Sequence, residues 1–92
     1  GKARDPIWGF TPHAAERFEE HYGATLTPVL AAQWRQLILS GDCKSYPSHH
    51  SRFRSIQLCL WPARNILVPV VYDAFSDTII TVLPVGCPRG VA

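Results

Sequence analysis

Three side chains able to move protons or hold anions, His13, Arg17 and His21, fall at four-residue intervals. On a helix that spacing stacks them into one polar ridge. Imidazole titrates near neutrality and guanidinium grips phosphate in two-pronged fashion, so the ridge suits anion binding or proton transfer. It equally suits a solvated helix face on which Arg17 pairs with Glu16 or Glu20. A second cluster lies in the middle of the chain, where His49 and His50 precede Arg52 and Arg54, and Ser45, Tyr46 and Ser48 add hydroxyls. In an extended segment, positions 52 and 54 share a side. Such a set could hold a phosphodiester, with a histidine as general acid or base and an arginine stabilising the pentavalent phosphate. The same composition also describes a merely exposed Ser/His/Arg-rich loop.

Other chemistries lack their residues. No glycine-rich phosphate loop, dinucleotide fingerprint or nucleophile elbow occurs. Asp73 and Asp77 flank a turn, where Asp commonly serves the backbone, so no divalent metal or other cofactor is expected. Cys43, Cys59 and Cys87 are odd in number and widely spaced, with no C-x-x-C pair. That pattern argues against a disulfide framework and a structural zinc site, and for a reducing, cytoplasmic setting. The formal net charge of +2 is small for a protein that grips long duplexes. Its distribution is uneven, with Glu16, Glu19 and Glu20 near the start and Lys44, Arg52, Arg54 and Arg64 in the middle, so a local anionic partner is expected. The longest apolar run, 66–72, contains Pro69 and falls far short of the ~20 residues that cross a bilayer, so no membrane partner is expected. Gly1 stands where Met would and reads as a remnant of tag removal.

These residues need elements to position them. With 47% apolar or aromatic residues and 17% charged, the chain can fill a core, and its length suits one domain, 1–92, with a core over about 10–84 and a tail over 85–92. Thr11-Pro12 and Thr27-Pro28 each combine a side-chain cap with a proline at the first helical position. Ala14, Phe18 and Tyr22 trace the apolar stripe of a helix over 11–22 that stops at Gly23. Leu30, Ala31, Trp34, Leu37 and Ile38 trace that of a second over 28–40. Beyond Gly41 the period changes to two: over 51–60, Ile56, Leu58 and Leu60 share one side and Phe53, Ser55, Gln57 and Cys59 the other. Strands over 66–73 and 78–83 follow, the first troubled by Pro69, which belongs at edges or bulges. The expected fold is α+β, with two N-terminal helices packed on a three- to four-stranded antiparallel sheet, in an order that is left open.

The order Thr-Pro-His13-Ala14-x-x-Arg17-Phe18, a second helix ending at Gly41, and the pair Val70-Val71-Tyr72-Asp73 and Thr78-Ile79-Ile80-Thr81-Val82 resembles a family of small bacterial and phage domains. That family, with its His-Ala-x-x-Arg helix and final hairpin, is placed in the superfold of barnase, colicin D and the RelE toxins. The resemblance covers about 10–84 and implies a metal-independent endoribonuclease acting on RNA, with His13, Arg17 and Thr81 at its catalytic positions. Arg52, Arg54, His49, His50 and Tyr46 would then bind RNA or a partner, and a cognate immunity protein or antitoxin would be implied. A fold does not deliver a function. From a different class, the chain also suits a non-catalytic phage-type inhibitor, such as an anti-CRISPR or host-takeover protein, that blocks a host protein complex, or a structural accessory domain.

Overall fold

Both Thr-Pro steps start helices by the expected mechanism. In the computed structural model, which describes residues 8–49 and 51–87, α1 spans Pro12–Tyr22 and α2 spans Pro28–Leu39. The Thr11 hydroxyl accepts from the Ala14 N–H at 3.0 Å and the Thr27 hydroxyl from the Leu30 N–H at 3.1 Å. Gly23 closes α1 in the left-handed region, φ 67°, which only glycine enters without penalty.

The second half is an antiparallel meander of four strands, β1 Lys44–Pro47, β2 Arg54–Trp61, β3 Ile66–Asp73 and β4 Thr78–Val82, ordered β1-β2-β3-β4. The expected α+β architecture is therefore present, with both helices N-terminal to the sheet. Two boundaries differ from the pattern. The segment carrying Ser45 and Tyr46 forms β1, an edge strand kept short and carrying Lys44 and Pro47, which discourage further pairing. Conversely, β2 starts at Arg54 rather than at position 51. Ser51 draws the chain into a turn, its carbonyl accepting from Arg54 N–H at 3.1 Å and its hydroxyl from Phe53 N–H at 3.0 Å. Arg52 thus lies in that turn and not on a strand face with Arg54.

The other edge of the sheet is covered by the residues before α1. Ile79 N–H donates to the Gly9 carbonyl at 2.9 Å, and Thr11 N–H donates to the Ile79 carbonyl at 3.1 Å. The Thr11 hydroxyl, besides capping α1, donates to the Ile80 carbonyl at 2.7 Å. One side chain therefore starts the helix and ties it to β4, against which α1 packs.

Pro69 sits in β3, a central strand, contrary to the edge position its missing N–H favours. The register places it opposite Leu83, whose N–H donates to the Pro69 carbonyl at 2.9 Å. An ordinary residue at 69 would return a bond to the Leu83 carbonyl. The Tyr22 hydroxyl donates there instead, at 2.7 Å. A helix side chain thus replaces the one ladder bond that proline cannot make.

Alternation sorts the strands into two faces. The inner face presents Cys59, Trp61, Val68, Val70, Tyr72, Ile79 and Val82, all buried, to Ala14 and Phe18 of α1 and Ala31 and Trp34 of α2. The Phe18 ring meets Trp34 and Trp61 edge-on, with centroids 5.5 Å and 4.9 Å apart. The Trp34 indole N–H donates to the Leu60 carbonyl at 2.9 Å, so its polar atom is satisfied while the ring is fully buried.

Candidate binding surface

Among the described residues, no helix lies on the opposite face of the sheet. Cross-strand pairs Lys44–Leu58, Tyr46–Ile56, Ile56–Val71, Leu58–Pro69, Leu60–Leu67 and Val71–Thr81 bring these side chains to one outer surface. Leu60 and Leu67 stay 41% and 52% exposed. Beyond β4 the chain runs beside this face, and Val85 and Cys87 join Tyr46, Leu58, Leu67 and Pro69 around a groove of about 420 Å³. Arg54 and Asp73, also paired across strands, form an ion pair of 3.7 Å at one end.

At that end two turns meet. The Ala74 N–H donates to the Phe53 carbonyl at 2.8 Å, holding the 51–53 turn against the β3–β4 turn. The Phe53 and Phe75 rings lie 5.4 Å apart, and the Arg52 guanidinium sits 5.2 Å from the Phe53 centroid. Phe75 is 80% exposed, although removing a ring this apolar from water would be favourable. The Asp73 carboxylate accepts from the Phe75 N–H at 2.9 Å, the backbone service expected of an aspartate in a turn, and so fixes the segment that displays the ring.

The residues singled out in the sequence separate into two groups. His13 is exposed in the first turn of α1, and one turn on Arg17 is ion-paired with Glu20, as a solvated face would have it. Thr81 lies on the outer face of β4, so the sheet stands between it and the His13–Arg17 ridge. Tyr46 and Arg54 share that outer face with Thr81, and Arg52 marks its end. His49 is exposed in the link between β1 and β2. His50 lies outside the described residues.

Pattern reading missed a third group. Arg35 of α2 donates from Nη2 to Asp77 Oδ2 at 3.1 Å, and the Tyr72 hydroxyl donates to Asp77 Oδ1. Burial pushes the Asp77 carboxyl up, but the hydrogen bonds from Arg35 and Tyr72 outweigh it and hold the group below the usual carboxylate range. Burial, followed by the bond to Asp77, pushes the Tyr72 phenol up to about 12. Gly9 lies against this arginine, where a Cβ would come within 2.2 Å of Nη1. Joining α2, β3, the β3–β4 turn and the segment before α1, the cluster acts as a clamp. The one sequence signal for it is Arg35, the single charged residue of α2, beside Trp34.

Among the described residues, no three His, Cys, Asp or Glu side chains converge as metal ligands would, and no helix is long and apolar enough to cross a membrane. Comparison with known proteins returns no matching family model, no matching curated sequence and no matching solved structure.

Proposed function

We propose that this domain is a non-catalytic protein-binding module of the inhibitor class, docking on its target through the open face of the sheet. The observation that carries the reading is the aliphatic surface of Ile56, Leu58, Leu60, Leu67 and Val71, over which no helix lies among the described residues. The chemistry of the surface favours a protein over a nucleic acid. Single-stranded bases stack on successive aromatic rings along a groove, whereas the strands of this face carry Tyr46 amid branched aliphatics, with Phe53 and Phe75 confined to its end. Its cations, Lys44 and Arg54, with Arg52 at the end, fit an acidic rim on the partner, while Glu16, Glu19 and Glu20 are carried by the helix layer behind. Phe53, Phe75 and Arg52 belong to the residue types enriched at protein interfaces. A host protein complex blocked by such a surface is the partner this reading implies.

A second reading, the metal-independent endoribonuclease, draws support from the exposure of His13 one turn from Arg17. It requires Arg17 to exchange Glu20 for a phosphate, and a proton donor other than Thr81, which faces away across the sheet.

One experiment separates the two. Tagged full-length chain is expressed as wild type, as Leu60→Glu/Leu67→Glu, and as Glu16→Gln on the helix side, and its co-purifying proteins are identified and the complex rebuilt from pure components. A complex that forms with wild type and Glu16→Gln, and weakens by more than about 30-fold in the double variant, supports docking through the sheet. A complex indifferent to the double variant overturns it. So does cleavage of total RNA in EDTA that disappears in His13→Ala.

A further inference from the structure

Cys43 and Cys59 are sixteen positions apart, with nothing in their spacing to couple them, yet the meander sets them side by side. Extending the β1–β2 register by one position beyond the Lys44–Leu58 pair places Cys43 opposite Cys59. The two sulfurs are in contact at 3.6 Å. Directly opposed residues of an antiparallel pair have Cα atoms roughly 4.5–5.5 Å apart, inside the range that a disulfide spans. A sub-ångström adjustment at each side chain brings the sulfurs to bonding distance. The partners also differ in access: Cys59 is fully buried on the inner face, whereas Cys43, at the mouth of β1, is partly open to solvent.

We propose that Cys43 and Cys59 form a dithiol modification site that exchanges with small-molecule disulfides of the glutathione class and closes into a cross-strand disulfide. The asymmetry in access sets the order of events. The Cys43 thiolate attacks the small disulfide, forming a mixed disulfide at Cys43 and releasing one thiol. The Cys59 thiolate then attacks the Cys43 sulfur and releases the second. Two protein thiols are oxidised, one small disulfide is reduced to two thiols, and both protein protons leave with the released thiolates. Burial pushes both protein thiols up, so exchange is slow at neutral pH and accelerates in mild alkali. The closed bond fastens the short edge strand β1, and with it Lys44 and Tyr46 of the outer surface, to the centre of the sheet. Cys87, which lines the groove beside Val85, is outside the pair.

The test uses the full chain, equilibrated against oxidised and reduced glutathione over a range of ratios, acid-quenched, alkylated and mapped by mass spectrometry. The expected product is an intramolecular Cys43–Cys59 disulfide, with only Cys87 alkylated and the thermal midpoint raised relative to the reduced chain. Cys59→Ser should halt at a Cys43–glutathione adduct, and Cys43→Ser should leave Cys59 largely unmodified. Cys87→Ser should form the bond as the wild type does, which guards against loss of fold in the first two variants. Glutathione left stably on Cys43 of the wild type, a bond that recruits Cys87, or three alkylated cysteines under fully oxidised glutathione would each overturn the proposal. None of these outcomes depends on what the outer face binds.

Discussion

The inner and outer faces of the sheet are cut from the same strands, yet Cys59, Trp61, Val68 and Val70 on one are buried while Leu60 and Leu67 on the other keep about half of their surface in water. Composition does not separate them, since both are rich in aliphatic residues. The difference lies in what stands opposite: the inner face, which contributes Trp61, meets the Phe18 and Trp34 rings of the helices, and among the described residues the outer face meets the short chain after β4. Apolar character therefore marks the surfaces a strand offers for burial, and the tertiary fold decides which of them this chain covers itself. The surface left over is the one available to a partner.

The contrast between the faces should be largest at Trp34. Its truncation to Ala removes the ring that both helix and sheet enclose, and should lower stability by about 3–5 kcal/mol in chemical denaturation. A loss below ~1 kcal/mol would show that the inner face is not the core.

Tyr22 tests a subtler feature of the same layer. Tyr22→Phe keeps the ring but removes the donor to the Leu83 carbonyl opposite Pro69, and should cost about 1–2 kcal/mol. The double variant with Pro69→Val restores an N–H to the ladder, so a double-mutant cycle should show that the second change recovers part of the first. Strict additivity would detach the tyrosine from the proline.

On the outer face the ordering of effects should invert. Leu67→Gln should change stability by no more than ~0.5 kcal/mol, the usual range for exposed sites, while weakening partner capture. A stability loss comparable to that of Trp34→Ala would mean that the outer face is structural and not a docking surface.

The clamp between α2 and the β3–β4 turn is read as pH dependence. Asp77 is held below its unfolded value, so its contribution is present above the unfolded carboxylate range and is lost as pH falls through the folded value. Asp77→Asn should flatten that acid limb of the stability curve. Tyr22 and Tyr72 are both pushed up to about 12 from an unfolded value near 10, so their contribution is intact below pH 10 and is lost between pH 10 and 12. Urea midpoints measured across both limits check the two signs, and an acid limb unchanged in Asp77→Asn would show that the ionised Asp77 does not stabilise the fold.

Local chemistry made much of this protein legible from its residues. The Thr-Pro steps and Gly23 act within one helical turn, so α1 and α2 could be placed nearly to the residue, while alternation marked β2 except for its start, and apolar, β-branched runs between turns marked β3 and β4. Burial of Phe18 and Trp34 followed from their place on apolar stripes. What escaped depends on separations the chain does not encode locally. The hydroxyl that compensates Pro69 comes from Tyr22, and the sulfur that meets Cys59 comes from Cys43 across a register set by the β1–β2 link. The arginine that occupies Asp77 is carried by another element altogether. The candidate site divided for the same reason: His13 and Arg17 stack on one helix face because 3.6 residues make a turn, but only strand pairing could put Thr81 on the far side of the sheet. Periodicity says which residues share a face, whereas the meander and the helix layer decide which faces meet and which remain open.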